Sequence, residues 1–174
     1  GNGLPAVLPR HPNPIWNALA RPDLAASFIA DGRHIDPMTL GVMLRAKTAA
    51  RSVLVSDASP LAGAPAGMYG PWEVRDDGSI VVAGTPYLAG SNLDLWRAIP
   101  FAMDAAGLSL VEAIEAATLN PAAVLGLKAP ALAPGHPSDL IVFRRGADRP
   151  SEIELCATFV GTEWAWPSAE GDAA

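Results

Sequence analysis

The residues of this 174-residue sequence with the clearest potential for chemistry are two aspartates and a histidine. Asp31 and His34 follow the apolar run 25–30, and Asp57 follows the run 52–56. Two carboxylates and an imidazole that lie together at one edge of a sheet could carry out general acid and base chemistry. An Asp beside a metal ion could also activate water. Structural roles stay open, because Asp31 precedes a glycine as in a tight turn and Asp57 opens a segment typical of a loop cap.

These three residues need strands that bring them to one edge of a sheet. The run 25–30 is short, apolar and closed by Asp-Gly, so we predict a buried strand. Asp36 and Pro37 supply an N-cap and a first-turn proline for a helix that we predict to about Lys47. The β-branched run 52–56 predicts a second strand. Strand, helix and strand without alternating polarity indicate a parallel sheet buried on both faces, whose carboxyl-end loops converge.

The remaining elements predict a mixed α/β protein. Four prolines between Leu4 and Pro14 exclude a regular helix or central strand there. A helix can pass Pro100 only with a kink. The other predicted elements are a loop at 62–67, a hairpin at 72–75 and 79–82, helices that begin near residues 93 and 109, and strands at 139–143 and 153–160.

Composition and charge narrow the class of protein. Half of the residues are apolar and 17% are charged, so the chain can bury a core. The formal net charge of -6, without a cluster of Lys or Arg, argues against nucleic acid and anionic membrane as partners. Cys156 is the only cysteine and lies in an apolar segment, so we predict a buried thiol, no intrachain disulfide and a cytoplasmic setting. The sequence also lacks glycine-rich phosphate loops and a membrane-spanning apolar run.

Several motifs in register carry a family resemblance. They are Ile29-Ala30-Asp31-Gly32-Arg33-His34, the segment LVSDASPLAG at 54–63, Leu88-Ala89-Gly90-Ser91, the segment ATLNPA at 117–122, and LAPGHPSDL at 132–140. In this order they resemble the N-acetylglucosamine-6-phosphate deacetylases of the amidohydrolase superfamily. The resemblance spans nearly the whole chain.

The resemblance implies a particular fold. It implies an α/β fold made of the C-terminal part of a (β/α)8 TIM-type barrel, with a small β-sandwich portion at the C-terminus. We expect the barrel part at residues 1–128, the sandwich portion at 129–166 and a tail at 167–174. The first residue is not Met and the opening segment is loop-like, so we interpret the sequence as part of a longer chain.

The resemblance also implies an activity. It implies a metal-dependent hydrolase that removes the N-acetyl group from N-acetylglucosamine-6-phosphate in amino-sugar catabolism. Asp57 matches the family's catalytic Asp, which acts as general acid/base by taking a proton from the attacking water and delivering it to the leaving amine. The implied cofactor is a divalent metal ion, zinc before others. Its Glu and two His ligands are expected upstream of Gly1, so no metal ligand is assigned within this sequence.

Substrate-binding roles are likewise implied by the resemblance. His34 matches the motif histidine that contacts the substrate, and Arg10 matches an arginine that reaches the phosphate, in some members across a dimer interface. We therefore expect a small-molecule amino-sugar phosphate as partner and a homodimer. The full predicted set is Asp57 as catalytic residue and Asn2, Gly3, Arg10, His34, Leu88, Ala89 and Gly90 as substrate-binding residues.

Two other interpretations stay open. The protein could be an amidohydrolase that acts on another N-acyl amine or on a cyclic amide. Alternatively, it could be a non-catalytic α/β domain or degenerate homologue, in which Asp31, His34 and Asp57 serve only as turn and cap residues. A Glu at the end of an early strand and a His immediately before Gly1 would favour catalysis.

Overall fold

A computed structural model describes residues 7–136, 139–161 and 163–166. The described chain contains both helices and strands, so the predicted mixed α/β class is confirmed. The helices are α1 (Pro14–Ala20), α2 (Pro37–Lys47), α3 (Leu95–Ala106), α4 (Leu110–Ala117) and α5 (Leu119–Leu125), with a short 3-10 helix at Ala49–Arg51. The strands are β1 (Ala26–Ile29), β2 (Ser52–Val55), β3 (Gly67–Tyr69), β4 (Trp72–Val74), β5 (Ile80–Val82), β6 (Leu140–Arg145), β7 (Ile153–Val160) and β8 (Glu163–Trp166).

Strands β1 and β2 pair in parallel and are connected through α2, as the sequence predicts. The register places Ala26 opposite Ser52 and Ile29 opposite Val55. Helix α2 begins after Asp36, whose side chain accepts hydrogen bonds from the backbone N–H groups at positions 38 and 39. The cap and the proline that follows it explain why α2 starts where the sequence analysis places it.

The prediction that this sheet is buried on both faces is wrong for β1. Phe28 is buried, whereas its neighbour Ser27 is exposed. Successive side chains of a strand point to opposite faces, so one face of β1 packs against the core and the other faces outward. Within the described ranges β1 pairs only with β2, and Ile29, on the same face as Ser27, is half-buried. By contrast, β2 is buried at its first three residues.

The main core lies between this two-stranded sheet and the helices α2 and α3. Its buried members are Phe28, Ala30, Leu40, Leu44, Leu54, Ala98, Ala102 and Ala116. A second cluster of Ile99, Met103 and Ala113 joins α3 to α4. Helix α3 therefore packs on both clusters, and it continues through Pro100 as part of one helix. The capping box predicted at Ser109 is confirmed, because Ser109 and Glu112 exchange both of its hydrogen bonds.

Helix α1 differs from the prediction. The prolines between Leu4 and Pro14 predict a segment without a helix, yet Pro14 is the first residue of α1, after the N-cap Asn13. A proline is favourable at that position because the first helical N–H has no partner within the helix. The amine of Lys47 is buried and donates to the carbonyls of Ala18 and Arg21 at 2.6 and 2.7 Å. This ties the end of α1 to the end of α2.

A three-stranded antiparallel sheet, β3-β4-β5, lies between β2 and α3. The predicted hairpin of β4 and β5 is confirmed. The sequence predicts no strand at β3 and places its first residue, Gly67, in a loop. In the structure Gly67 pairs with Val74 of β4. A three-residue strand that begins with glycine carries no local signal, and the pairing itself stabilises it.

Strands β6, β7 and β8 form a third, antiparallel sheet. The sheet contacts the helices through Phe143, whose ring centroid lies 5.2 Å from that of Trp96, and through Ile153. Cys156 is half-buried in this sheet, so the prediction of a buried thiol is wrong, because β7 is only partly covered. The division at residue 128 stays a prediction, and the tail 167–174 lies outside the described residues.

None of the helices in the described ranges is long and apolar enough to cross a membrane.

Gly41 permits the close approach of α2 and α3. A Cβ at this position would lie 2.1 Å from the Ala105 carbonyl oxygen. Gly41→Ala should therefore lower the free energy of unfolding by about 1–3 kcal/mol through overpacking, although alanine has the higher helix propensity. Chemical denaturation of the full-length protein measures this change. Val42→Ala, at the exposed neighbouring position, is the control and should change stability by less than about 0.5 kcal/mol. A stabilised Gly41→Ala variant would contradict the packing argument.

Candidate functional site

The carboxyl ends of β1 and β2 bring two aspartates to the same edge of the sheet. Ile29 lies opposite Val55 in the parallel register. Asp31 lies two residues after Ile29, and Asp57 lies two residues after Val55. The two aspartates therefore follow the ends of the two paired strands by the same number of residues. Loops at this edge of a parallel sheet are where α/β proteins commonly place their sites.

Asp31 is the buried anchor of the site. Its Oδ1 accepts hydrogen bonds from the backbone N–H groups of Arg33 and His34, both at 2.9 Å. Its Oδ2 lies 2.8 Å from Nδ1 of the His34 ring, and the two side chains are only 3% and 2% exposed. Burial alone would raise the pKa of Asp31, but the hydrogen bonds from His34 and Arg33 outweigh it and hold the pKa below its usual value.

His34 joins this anchor to Asp57. Its Nε2 lies 3.4 Å from Oδ2 of Asp57, and the Asp57 side chain is 44% exposed. Among the described residues, Nε2 is buried and has no partner with hydrogen-bond geometry. We call the side chains of Asp31, His34 and Asp57 the carboxylate–imidazole row. It leads from a buried carboxylate through a buried ring to an open carboxylate.

The backbone of Asp57 has an unusual conformation. Its φ of 52° is left-handed, which aspartate tolerates better than most residues other than glycine. The Asp57 carbonyl accepts a hydrogen bond from the Ser91 N–H at 2.7 Å, and the Ser59 N–H donates to the Ser91 carbonyl at 2.8 Å. These two bonds fix the loop after β2 against the segment after β5.

The segment 88–90 lies against Asp57. Leu88 pairs with β5, and the Ala89 N–H donates to the Ile80 carbonyl at 2.8 Å. A Cβ on Gly90 would lie 3.0 Å from the Asp57 carbonyl oxygen and 3.1 Å from Cβ of Ser59. Gly90 also has a φ of +99°, so both the close approach and the backbone require glycine.

Sequence reasoning missed a contact between the site and the β4–β5 turn. Arg33 Nη1 lies 3.0 Å from Oδ2 of Asp77, and Arg33 also donates to the Asp77 main-chain carbonyl. Hydrogen bonds from the hydroxyl and N–H of Ser79, with that from Arg33, lower the pKa of Asp77 to about 2. The two partners stand far apart in the chain, and an arginine within the Asp-Gly-x-His motif was the only available signal.

Other predicted site residues are not joined to the row. Arg10 is exposed in the segment before α1, and no hydrogen bond or ion pair among the described residues connects it to Asp57 or His34. Asn2 and Gly3 lie outside the described residues. Leu88, Ala89 and Gly90 do reach Asp57, as set out above.

The residues present do not make up a metal centre by themselves. Within the described ranges, no group of three or more His, Cys, Asp or Glu side chains can hold a metal ion. Both Asp31 oxygens and Nδ1 of His34 are engaged with each other or with backbone N–H groups. The open carboxylate of Asp57 is the one group of the row that is turned partly to solvent.

Known proteins resemble this chain over most of its length. It is 35% identical to the N-acetylglucosamine-6-phosphate deacetylase of Rattus norvegicus over 82% of this chain and 34% of that protein. It is 30% identical to a putative N-acetylgalactosamine-6-phosphate deacetylase of Escherichia coli, over 83% of this chain and 89% of that protein. A structure of N-acetyl-D-glucosamine-6-phosphate deacetylase from Mycobacterium smegmatis, a mutant in complex with N-acetyl-D-glucosamine-6-phosphate, aligns with a TM-score of 0.78 and 28% identity. That alignment covers 92% of this chain and 42% of the other.

The matches cover most of this chain but only part of most of the relatives. The chain spans about a third of the length of its mammalian relatives. The resemblance found in the sequence motifs is confirmed, and the likeness to these structures implies a TIM-barrel-type fold. Residues 17–163 match the amidohydrolase family, which is most of the sequence. The chain therefore belongs to the amidohydrolase family.

Proposed function

We propose that this chain is part of a metal-dependent hydrolase that removes the N-acetyl group from N-acetylglucosamine-6-phosphate in amino-sugar catabolism. The observation that carries the proposal is the position of Asp57, a partly open carboxylate at the end of a parallel strand that faces Nε2 of His34 at 3.4 Å. The similarity to named deacetylases supports an amide as the scissile bond. We also propose that the part through α5 belongs to the barrel and that β6–β8 belong to the sandwich.

Asp57 is the proposed general acid/base. Its carboxylate takes a proton from a water molecule as the water oxygen bonds to the acetyl carbon. When the carbon–nitrogen bond breaks, the carboxyl group returns the proton to the leaving nitrogen, so that acetate and a free amine result. The Asp57 carboxylate is free for this role because, among the described residues, no backbone N–H donates to it. This distinguishes Asp57 from Asp31 and argues against a cap role.

The proposal includes a metal ion held by residues outside the described ranges. Deacetylases of the amidohydrolase family are generally metal-dependent, and we propose a divalent ion, zinc before others. Such an ion supplies Lewis-acid polarisation of the carbonyl and lowers the pKa of water. The contribution of this chain is to hold the Asp57 carboxylate in place through its backbone bond to Ser91 and to present the His34 ring beside it.

Substrate binding is assigned to three places. We propose that His34 contacts the sugar, and that the segment 88–90 closes over the sugar with backbone groups. The Ala89 N–H is already bonded to Ile80, so Leu88 is the better candidate for a backbone contact. Arg10 is the proposed phosphate ligand, because its exposed guanidinium suits a phosphate dianion. A homodimer in which Arg10 reaches across the interface, as the family resemblance implies, is part of the same proposal.

A second candidate substrate is N-acetylgalactosamine-6-phosphate. The relatives that carry this name in Escherichia coli are 30% identical to the chain, and one of them is matched over 89% of its length. The two sugars differ only in the configuration at carbon 4, so the chemistry assigned to Asp57 is the same for both. Acetate release from each sugar, measured side by side, decides between them. A cytoplasmic location belongs to the same proposal, since both substrates are phosphorylated metabolites.

Asp57→Asn in the full-length protein should strongly slow acetate release while the fold is retained. The amide cannot accept the proton of water, so kcat should fall by about a hundredfold to ten-thousandfold. The measurement is acetate release from the phosphorylated sugar in the presence of zinc. Asp104→Asn, at an exposed position on α3, is the matched control and should leave kcat unchanged. If Asp57→Asn kept a large fraction of the activity, Asp57 would not be the base.

Arg10→Ala should weaken binding of the phosphorylated sugar in particular. Loss of a charge-assisted hydrogen bond to phosphate should raise KM by about tenfold to a hundredfold. KM for the unphosphorylated sugar should change little. Arg51→Ala, which removes another exposed arginine, is the control. An equal effect of Arg10→Ala on both sugars would exclude the phosphate role.

Gly90→Ala should displace Asp57 and lower kcat by at least about tenfold, because small misplacements of a reacting group are costly. Gly84→Ala is the matched control. Gly84 also has a positive φ, of 72°, but no atom lies within 4 Å of a Cβ built there. Both variants should lose about 1–2 kcal/mol of stability from the left-handed backbone, and only Gly90→Ala should lose activity. Similar kcat values for the two variants would show that the approach of Gly90 to Asp57 is unimportant.

A further inference from the structure

We propose that Asp31 is a positioning residue that fixes the tautomer and the direction of the His34 ring, so that Nε2 is presented to Asp57. This inference rests on the proposed hydrolase function and adds one residue to the same site. The family resemblance assigns no role to Asp31, and the sequence leaves open whether it takes part in chemistry or serves as a turn residue.

The tautomer follows from the hydrogen bonds of Asp31. An ionised carboxylate has only acceptor sites, so a ring nitrogen 2.8 Å from Oδ2 must carry the hydrogen. Oδ1 is occupied by two backbone N–H groups, which hold the carboxylate in one orientation. The same bonds hold the pKa of Asp31 below its usual value, which keeps the carboxylate ionised. Nδ1 of His34 is therefore the protonated nitrogen.

The direction of the ring has a chemical consequence at Asp57. With hydrogen on Nδ1, Nε2 of a neutral ring has a lone pair that faces an acceptor oxygen 3.4 Å away. Nε2 of the neutral ring and Oδ2 of Asp57 are both acceptors, so they form a hydrogen bond only when a proton lies between them. The row therefore has a place for a single proton between Nε2 and Oδ2, beside the group that the proposed reaction uses. A proton taken from water can be held there until the leaving nitrogen receives it.

The substitution Asp31→Asn separates the two roles of this side chain, which are to close the turn and to contact the His34 ring. The asparagine carbonyl oxygen still accepts from the two backbone N–H groups, so the turn is retained. Its NH2 group replaces the Oδ2 acceptor and donates to Nδ1, which forces the hydrogen of a neutral ring onto Nε2. Nε2–H then donates permanently to Asp57 and fills the place of the shared proton. In serine hydrolases, the corresponding loss of the correct histidine tautomer costs about 10⁴-fold in kcat.

The test combines a tautomer measurement with kinetics on the full-length protein. The ¹⁵N chemical shifts of the His34 ring, assigned by comparison with His34→Gln, report which nitrogen carries hydrogen. Wild type should show hydrogen on Nδ1, and Asp31→Asn should show it on Nε2. In parallel, kcat should fall at least about a hundredfold in Asp31→Asn, with KM changed less than about threefold.

Asp36→Asn is the matched control. Asp36 also accepts hydrogen bonds from two backbone N–H groups, those of Met38 and Thr39, but it makes no contact with the ring among its described bonds. Loss of the carboxylate there should leave both the His34 tautomer and kcat unchanged. A merely structural role for Asp31 would make the two variants behave alike.

The outcomes separate this inference from the proposed function. A wild-type ring with hydrogen on Nε2 and none on Nδ1 would overturn the positioning role, even if Asp31→Asn failed to fold. An unchanged tautomer or an unchanged kcat in Asp31→Asn would overturn it as well. A wild-type protein that has hydrogen on Nδ1 but releases no acetate from either sugar would support the geometry of the row and contradict the hydrolase function.

Discussion

The parallel register between β1 and β2 is the constraint on which the site depends. Hydrogen bonding along the two strands sets Ile29 opposite Val55, and the residues just beyond the strands inherit the same alignment. Asp31 and Asp57 therefore lie close enough for one imidazole ring to contact both. A slip of one residue would turn the buried face of β1 outward and separate the two carboxylates. The core beneath the sheet thus stabilises the geometry of the site as well as the fold.

The two interpretations that the sequence leaves open for Asp31 are compatible. One carboxylate oxygen closes the turn through two backbone N–H groups, and the other engages the ring of His34. Asp57 behaves differently, because its side chain is partly open and its backbone, not its carboxylate, is bonded to Ser91. Two aspartates at matching positions thus occupy contrasting surroundings, which is how one residue type can serve in two roles.

Local signals in the sequence account for much of the fold. The cap and proline before α2, the capping box of α4 and the Asp-Gly turn between β4 and β5 are short-range features, and all are found in the structure. Asn13 and Pro14, an N-cap followed by a first-turn proline, are likewise a local signal for the start of α1. The contact of Arg33 with Asp77, the approach of Gly90 to Asp57 and the direction of Nε2 depend on tertiary packing. Spacing along the chain carries no information about them.

The left-handed backbone of Asp57 restricts how this position can change during evolution. Asparagine and glycine suit that φ value but lack a negative charge, whereas glutamate keeps the charge but is disfavoured by the backbone. Each of these three replacements therefore loses either the negative charge or the fit to the backbone. Under the proposed acid/base role, folding and chemistry would favour the same residue at this position.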